Sequence, residues 1–287
     1  MILITGASGH LGTAVINHLL TKISADKIVA LVRNTEKGKA LKAKGIEVRI
    51  GDYADKTSIE KAVDGISKLL LISGSSEDAL TEHKNVIDSA KDAGVSQIYY
   101  TSGARNENVS ESKLGPLTDA YSTTENYIIN SGLPYTIFQN GLYSETLPFF
   151  IGYDVVNTGI SFPAENGKAS FATRDEMGKA IANVLADDGH IYKIYKLTGA
   201  LSYSFAEIAE LLSEFSGEKV AYESPAPKDY EKKLKEYGVG EMDIWYLTLL
   251  ASIIRNDEYN VVSSDLEELL GHRNTDLEIY LEDTFIN

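Results

Sequence analysis

The stretch that decides the fold is Ile2-Leu3-Ile4-Thr5-Gly6-Ala7-Ser8-Gly9-His10-Leu11-Gly12, followed by Ala14-Val15-Ile16 and Leu19-Leu20. An apolar run without polar alternation reads as a short strand covered on both faces. From Ala14 onward the apolar positions recur at helical spacing. Between them lies a turn with the spacing G-x-x-G-x-x-G, not the more usual G-x-G-x-x-G. Gly6 permits the tight turn, Gly9 lets the backbone approach an anion, and Gly12 allows helix and strand to pack closely. The helix start then offers free N–H groups and the positive end of its dipole. Strand, glycine turn and helix in this order are the context that makes a glycine triplet a dinucleotide-phosphate loop.

Working outward, the same unit repeats. Apolar runs occur at Ile28–Val32, Val48–Ile50, Leu69–Ile72, Ile98–Thr101 and Tyr135–Phe138, each followed by a polar or glycine-containing loop. Val86-Ile87 with Ala90 marks another helix, and Thr57-Ser58-Ile59-Glu60 has the pattern of a capping box. Buried strands alternating with helices predict an α/β fold, a doubly wound parallel sheet of the Rossmann, NAD(P)-binding type. After Gln139 the rhythm breaks. Thr173 is placed to cap a helix over Arg174–Leu185, Ile191–Leu197 reads as a strand rejoining the sheet, and Ser204 precedes a helix over Phe205–Phe215. Residues 1–140 with about 173–200 are therefore expected to form the dinucleotide-binding domain. Residues 141–172 and 201–287 are expected to form a smaller C-terminal substrate lobe over the sheet's carboxyl edge.

Composition narrows the function. The chain has 287 residues, 27 Lys and Arg against 42 Asp and Glu, and a formal net charge of −15. Such a surface repels phosphodiester backbones and anionic lipid, so neither nucleic acid nor membrane is an expected partner. With no cysteine, thiolate metal sites, iron–sulfur clusters and a cysteine nucleophile are excluded. The five histidines show no metal-ligand spacing, so no metal is expected. The start of the chain carries no basic segment followed by a long apolar one, and a cytoplasmic location is expected.

Arg33 and Asn34 close the second strand, about 20 residues past the glycine loop, where a strict NAD site places an acid for the ribose hydroxyls. An Arg there suits the adenosine 2′-phosphate, so NADP(H) is expected over NAD(H). Glu36 lies near enough to oppose that reading. Asp52 and Ser73–Ser75 are equally at home in plain turns.

Taken together, the opening loop, Val32-Arg33-Asn34, Gly51-Asp52-Tyr53, Leu71-Ile72-Ser73, Tyr100-Thr101-Ser102, Asn140-Gly141 and Ala172-Thr173-Arg174 resemble the NmrA-like branch of the atypical short-chain dehydrogenases. Within it the pattern is most similar to the NAD(P)H:quinone oxidoreductase type 2 group, which overlaps the NAD(P)H azoreductases. The resemblance spans nearly the whole chain. It implies that Gly6, Ala7, Ser8, Gly9, His10 and Leu11, with Gly12 behind them, hold a pyrophosphate. It assigns Arg33 to the 2′-phosphate, Asp52 and Tyr53 to the adenine side, and Ser73, Gly74 and Ser75 to the middle of the cofactor. Asn140, Gly141, Leu142, Tyr143, Ser144 and Glu145 would lie near nicotinamide and substrate, with Arg174 reaching in.

One element of the wider family's chemistry is missing. Short-chain dehydrogenases activate a Tyr with a Lys four residues later, beside a Ser after the fifth strand. Here Ser102 and Tyr121 are present, but residue 125 is Glu. An unassisted phenol is a poor base at neutral pH, which disfavours alcohol oxidation and sugar-nucleotide epimerisation. A nearby Glu125 carboxylate is expected to keep Tyr121 neutral. Hydride addition to an electron-poor acceptor demands less, and positioning alone supplies much of the catalysis. The expected activity is direct hydride transfer from NADPH to a small planar quinone-like or azo acceptor, without flavin. Tyr143, Asn140, Tyr121 and Ser102 are the candidate catalytic residues. Tyr143 and Tyr153 are candidates for stacking on the acceptor, and Ile244-Trp245-Tyr246-Leu247 reads first as core. The rival is a redox sensor that binds NADP(H) without turnover and signals to a protein partner. A homodimer is compatible with either.

Overall fold

The computed structural model describes residues 1–74, 76–109 and 115–286, with side chains omitted for 115–119. Its centre is a parallel seven-stranded sheet. The strands are β1 (Ile2–Ile4), β2 (Ile28–Val32), β3 (Glu47–Ile50), β4 (Lys68–Ile72), β5 (Gln97–Gly103), β6 (Tyr135–Asn140) and, after three outside this sheet, β10 (Lys193–Leu197). Those three are β7 (Leu142–Tyr143), β8 (Ile160–Ser161) and β9 (Lys168–Ala172), and two more follow, β11 (Ser202–Ser204) and β12 (Tyr222–Glu223). The sheet order β10-β6-β5-β4-β1-β2-β3 places the reversal of winding between β1 and β4. At that reversal the loops diverge and open a crevice at the strands' carboxyl ends.

The helices that cover the sheet are α1 (His10–Leu19), α2 (Thr35–Ala43), α3 (Lys56–Ala62), α4 (Ala79–Asp92) and α5 (Gly115–Ser131). Next come α6 (Leu147–Ile151), α7 (Val155–Thr158) and α8 (Arg174–Ala186), then α9 (Phe205–Ser216) and α10 (Pro227–Glu236). The chain ends in α11 (Glu241–Arg255), α12 (Asp265–Leu270) and α13 (Leu277–Phe285). Leu11, Val15 and Ile16 of α1 share one sheet face with Met177, Ile181 and Val184 of α8. Ile59, Val86, Ile87 and Ile128 of α3, α4 and α5 cover the other face. Gly178 is what lets α1 and α8 meet, since a Cβ there would lie 2.6 Å from that of Ala14.

A separate core joins Phe162, Phe205, Leu250, Ile254 and Leu281. It is organised by β11-β9-β7 and the pair β12-β8. Leu266 and Leu270 of α12 pack instead with the sheet-face core of α1 and α8. The range 201–287, expected to form the lobe throughout, thus returns one helix to the Rossmann unit. The reason is register: both leucines fall on the inner face of a helix laid against α8 and β10.

The local caps follow the sequence with one change. Thr173 caps α8 by accepting from Glu176 N–H, and Ser204 with Glu207 forms a reciprocal capping box on α9. For α3 the cap is Asp55, whose carboxylate accepts from Ser58 N–H at 3.3 Å, so Thr57–Glu60 lie inside the helix. Among the described residues no helix is long and apolar enough to cross a membrane.

Candidate functional site

The crevice above β1, β2 and β4 is a cleft of about 580 Å³, lined among others by Gly6, Ser8, Gly9, Arg33, Asp52, Tyr53, Ser73 and Gly74. Gly6 has φ +59°, a left-handed conformation that glycine adopts without strain. Gly9 N–H closes the turn on Gly6 O at 2.9 Å. Gly9 is also the N-cap of α1 and supplies no side chain, which leaves the first-turn N–H groups open to an anion. A Cβ on Gly12 would lie 2.4 Å from Gly6 O and 2.9 Å from Ala7 Cα. The third glycine therefore lets the helix pack against its own loop, more than against the strand. Ala7 and Leu11 turn their side chains into the core, while His10 is exposed.

Arg33 stands exposed at the mouth of the cleft. Lys37, one helical turn further on, lines the same end, and its N–H is held by the Asn34 side chain at 3.1 Å. Sequence reading passed over Lys37, although the spacing Arg33-x-x-x-Lys37 at a helix start was there to find. Glu36 pairs with Lys39 at 2.7 Å and does not line the cleft, which removes the objection it raised. Asp52 both lines the cleft and closes a local turn, accepting from Ala54 N–H at 3.1 Å. The Tyr53 hydroxyl is bound to Thr5 Oγ1 and to Ile72 O, so its ring, not its hydroxyl, is free to face a ligand. Burial raises its pKa, against the opposing effect of its hydrogen bond with Thr5. Ser73 and Gly74 form the opposite wall with Glu82. Ser75 lies outside the described residues.

The residues expected near the reacting end assemble elsewhere, beyond the edge of this cleft. Asn140, at the end of β6, donates from Nδ2 to the Tyr143 hydroxyl at 3.3 Å, and its buried Oδ1 has no hydrogen-bond partner among the described residues. The Arg174 guanidinium sits over the Tyr143 ring, 4.3 Å from its centroid, a cation–π arrangement. Glu145 accepts from Arg174 N–H at 2.9 Å and thereby holds the start of α8. Gly141 N–H binds Leu197 O at 2.8 Å, while Leu142 and Ser144 are buried. This group brings Tyr143 and Arg174 together and gives Glu145 a structural task.

Tyr121, Tyr143, Tyr246 and Tyr259 lie close enough to act on one another electrostatically. A Cβ on Gly103 would touch both the Tyr121 ring at 3.4 Å and the Tyr259 hydroxyl at 3.2 Å. Burial pushes Tyr143 up to about 12, opposed by its hydrogen bond with Asn140. Burial likewise raises Tyr121, opposed by a hydrogen bond with Ser73. The phenol of Tyr121 is neutral as expected, but for another reason than the one inferred. Glu125 is buried and neutralised by Arg105 at 2.7 Å and by Gln139 Nε2 at 3.2 Å, so its charge is not what acts on Tyr121. Ser102 is buried at the end of β5, its hydroxyl without a hydrogen-bond partner among the described residues. Tyr259 carried no local signal, whereas Tyr246 belongs to the stripe that the sequence reads first as core. Of the apolar stripe on α11, Ile244 and Leu247 are core, whereas Tyr246 is 38% exposed beside Phe149 at 45%.

Comparison with known proteins agrees with this architecture. The NmrA-like family model matches residues 1–281. Quinone oxidoreductase 2 of Escherichia coli is 36% identical over 285 residues, 96% of each chain. The structure of an E. coli NADPH-dependent quinone oxidoreductase complexed with NADPH superposes with a TM-score of 0.91, covering 99% of this chain and 100% of that one. Triphenylmethane reductase of Citrobacter sp., complexed with NADP(H), gives 0.90 at 36% identity, covering 99% of both chains. A family model spanning nearly every residue, over a sheet wound in the Rossmann order, makes this chain a member of the NmrA-like family.

Proposed function

We propose that the protein is an NADPH-dependent oxidoreductase that delivers hydride directly to a planar, electron-poor acceptor of the quinone type, without flavin. The observation that carries this reading is the polarity of the cleft. Its floor is the uncapped start of α1, a donor-rich surface suited to a pyrophosphate, and its far end bears Arg33 and Lys37. Gly9 leaves room for close backbone approach, and two cations at a helix start match a 2′-phosphate better than a bare ribose diol. The site residues of this chain thus fit NADPH, and the relatives that bind NADP(H) support the choice.

When bound, NADPH supplies a hydride from its nicotinamide ring. Asn140 is the candidate for holding that ring, because its buried Oδ1 lacks a partner among the described residues and would accept from a carboxamide N–H group. Tyr143, Tyr246 and Phe149 offer aromatic faces for a planar acceptor. Arg174, held over Tyr143, would offer a positive charge to an acceptor oxygen that becomes anionic on hydride transfer. The tyrosines stay protonated across the neutral range, so none serves as a base. Hydride addition to a quinone needs no base, and the product oxyanion takes its proton from water. The position-125 carboxylate, paired with Arg105, does not substitute for a lysine.

The test is NADPH oxidation by purified, flavin-free protein with and without a small quinone. Quinone-dependent turnover is expected. Tight NADPH binding with no turnover on quinones would overturn the catalytic reading and favour the NADP(H)-sensing regulator.

A further inference from the structure

His83 is fully buried in α4 and is not needed by any chemistry described above. Both of its ring nitrogens are engaged. Nε2 lies 3.0 Å from Gly74 N, and Nδ1 lies 3.0 Å from Thr124 Oγ1 on α5. A backbone N–H can only donate, so Nε2 must accept and the ring proton resides on Nδ1, donated to Thr124. The imidazole therefore has one tautomer compatible with its surroundings, and it must be neutral. Its edges also meet Tyr53 at 6.5 Å and Tyr100 at 5.5 Å between ring centroids. A single side chain thus joins α4 and α5, strand β5 and the loop after β3 to the rim of the cleft.

The neighbouring amide is pinned in the same way, since Ser73 N–H donates to Thr101 Oγ1 at 3.0 Å. Both N–H groups of the Ser73–Gly74 wall are consequently turned inward. The Ser73–Gly74 peptide is trans, so the Ser73 carbonyl points away from His83. Neither of these two amides is therefore free for a phosphate. With the Ser73 hydroxyl shared with Thr101 and Tyr121, the group of this wall suited to receive an O–H donor of a ribose is the Ser73 carbonyl, opposite an α1 floor suited to the phosphates.

We propose that His83 is a positioning residue for the cofactor: by accepting from Gly74 N–H as a neutral, Nδ1-protonated imidazole, it fixes the acceptor wall that receives a ribose hydroxyl. The proposal rests on the NADPH reading above. Burial pushes the imidazole down to about 4, so the acceptor state persists through the neutral range. Replacement of Gly74 N–H by water as partner would free the wall to rotate, and the cost would appear in cofactor affinity.

The experiment titrates NADPH into wild type, His83→Leu and His83→Gln, and then measures kcat and KM for one quinone at saturating NADPH. Leu fills the space without an acceptor, whereas the Gln Oε1 reaches the position of Nε2. Leu is expected to weaken NADPH binding about tenfold, the worth of one hydrogen bond, and Gln to restore it to within about threefold. The kcat at saturation is expected to stay within about threefold in both variants, because the reacting end is not touched. Thr124→Val keeps the imidazole but removes the partner that fixes its proton, and covers the case in which His83→Leu fails to fold. It too is expected to weaken NADPH binding. Histidine ¹⁵N spectra of the wild type are expected to show the Nδ1–H tautomer. Equal losses for Leu and Gln, unchanged binding in Thr124→Val, or an Nε2–H tautomer would each overturn the proposal. Failure of the wild type itself to bind NADPH would instead remove the functional reading, and this inference with it.

Discussion

The Arg105 guanidinium lies 2.7 Å from the Glu125 carboxylate, at the chain position where a dehydrogenase dyad would carry its lysine. Glu125 is 5% exposed and Arg105 30%, so the pair is largely removed from water. Removing one partner leaves a buried charge, and Arg105→Leu should destabilise the fold by about 3–5 kcal/mol. Urea denaturation of the variant measures it. Glu125→Lys should likewise destabilise, because it sets two cations face to face, and it should not create alcohol dehydrogenase activity.

Under the proposed NADPH reading, cofactor choice rests on the far end of the cleft. Arg33→Ala should weaken NADPH by about 1.5–3 kcal/mol, the worth of charge-assisted hydrogen bonds, and hardly change NADH. Lys37→Ala should act in the same direction. Calorimetric titration with both cofactors decides it, and equal losses for NADPH and NADH would assign Arg33 to the fold.

Two glycines of one loop should give opposite phenotypes. Gly9 has φ −79°, which any residue adopts, and its Cβ would lie 3.2 Å from Gly6 O. Gly9→Val should leave a folded protein that no longer binds NADPH, as the side chain occupies the anion's approach. Gly12→Ala should instead lower thermal stability, because its Cβ would overlap Gly6 O at 2.4 Å. Melting curves and titrations on the two variants separate a ligand effect from a packing effect.

Tyr121→Phe should keep quinone reduction within about tenfold, under about 1.4 kcal/mol of barrier, if no phenol donates the proton in the rate-limiting step. The wild-type rate should also be flat from neutral pH to the onset of phenol ionisation, since burial raises both Tyr121 and Tyr143. A fall of about a thousandfold with unchanged NADPH affinity would restore Tyr121 as a catalytic acid.

His83 makes stability depend on acid. In the unfolded chain it takes a proton near 6.5, and in the fold only near 4. Between those values the unfolded state binds more protons, so stability is complete above about pH 7 and falls as the pH drops through the window. The loss approaches about 3 kcal/mol at its lower end. Urea midpoints at several pH values, compared with His83→Gln, isolate this slope. The variant should lack it.

The sequence by itself determined the sheet, the glycine loop and the ends of several helices. Those features are written in short-range code: Ile2–Ile4 before Gly6, Thr173 before α8, Ser204 with Glu207 before α9. Backbone sterics and capping act over a few residues, so spacing suffices to read them. It also supplied Arg33, because a strand end fixes where its next side chain emerges. Only the tertiary structure decided which partners those residues keep. Glu36 is drawn to Lys39, Glu145 to the start of α8, and Glu125 to Arg105. His83 meets Gly74 and Thr124, and Tyr246 and Tyr259 come beside Tyr121 from far along the chain. Long-range partners are chosen by how the helices pack, and packing depends on summed shape and burial across the whole chain. That is why the glycine loop on the cleft floor is legible in the sequence, while the wall that faces it is not.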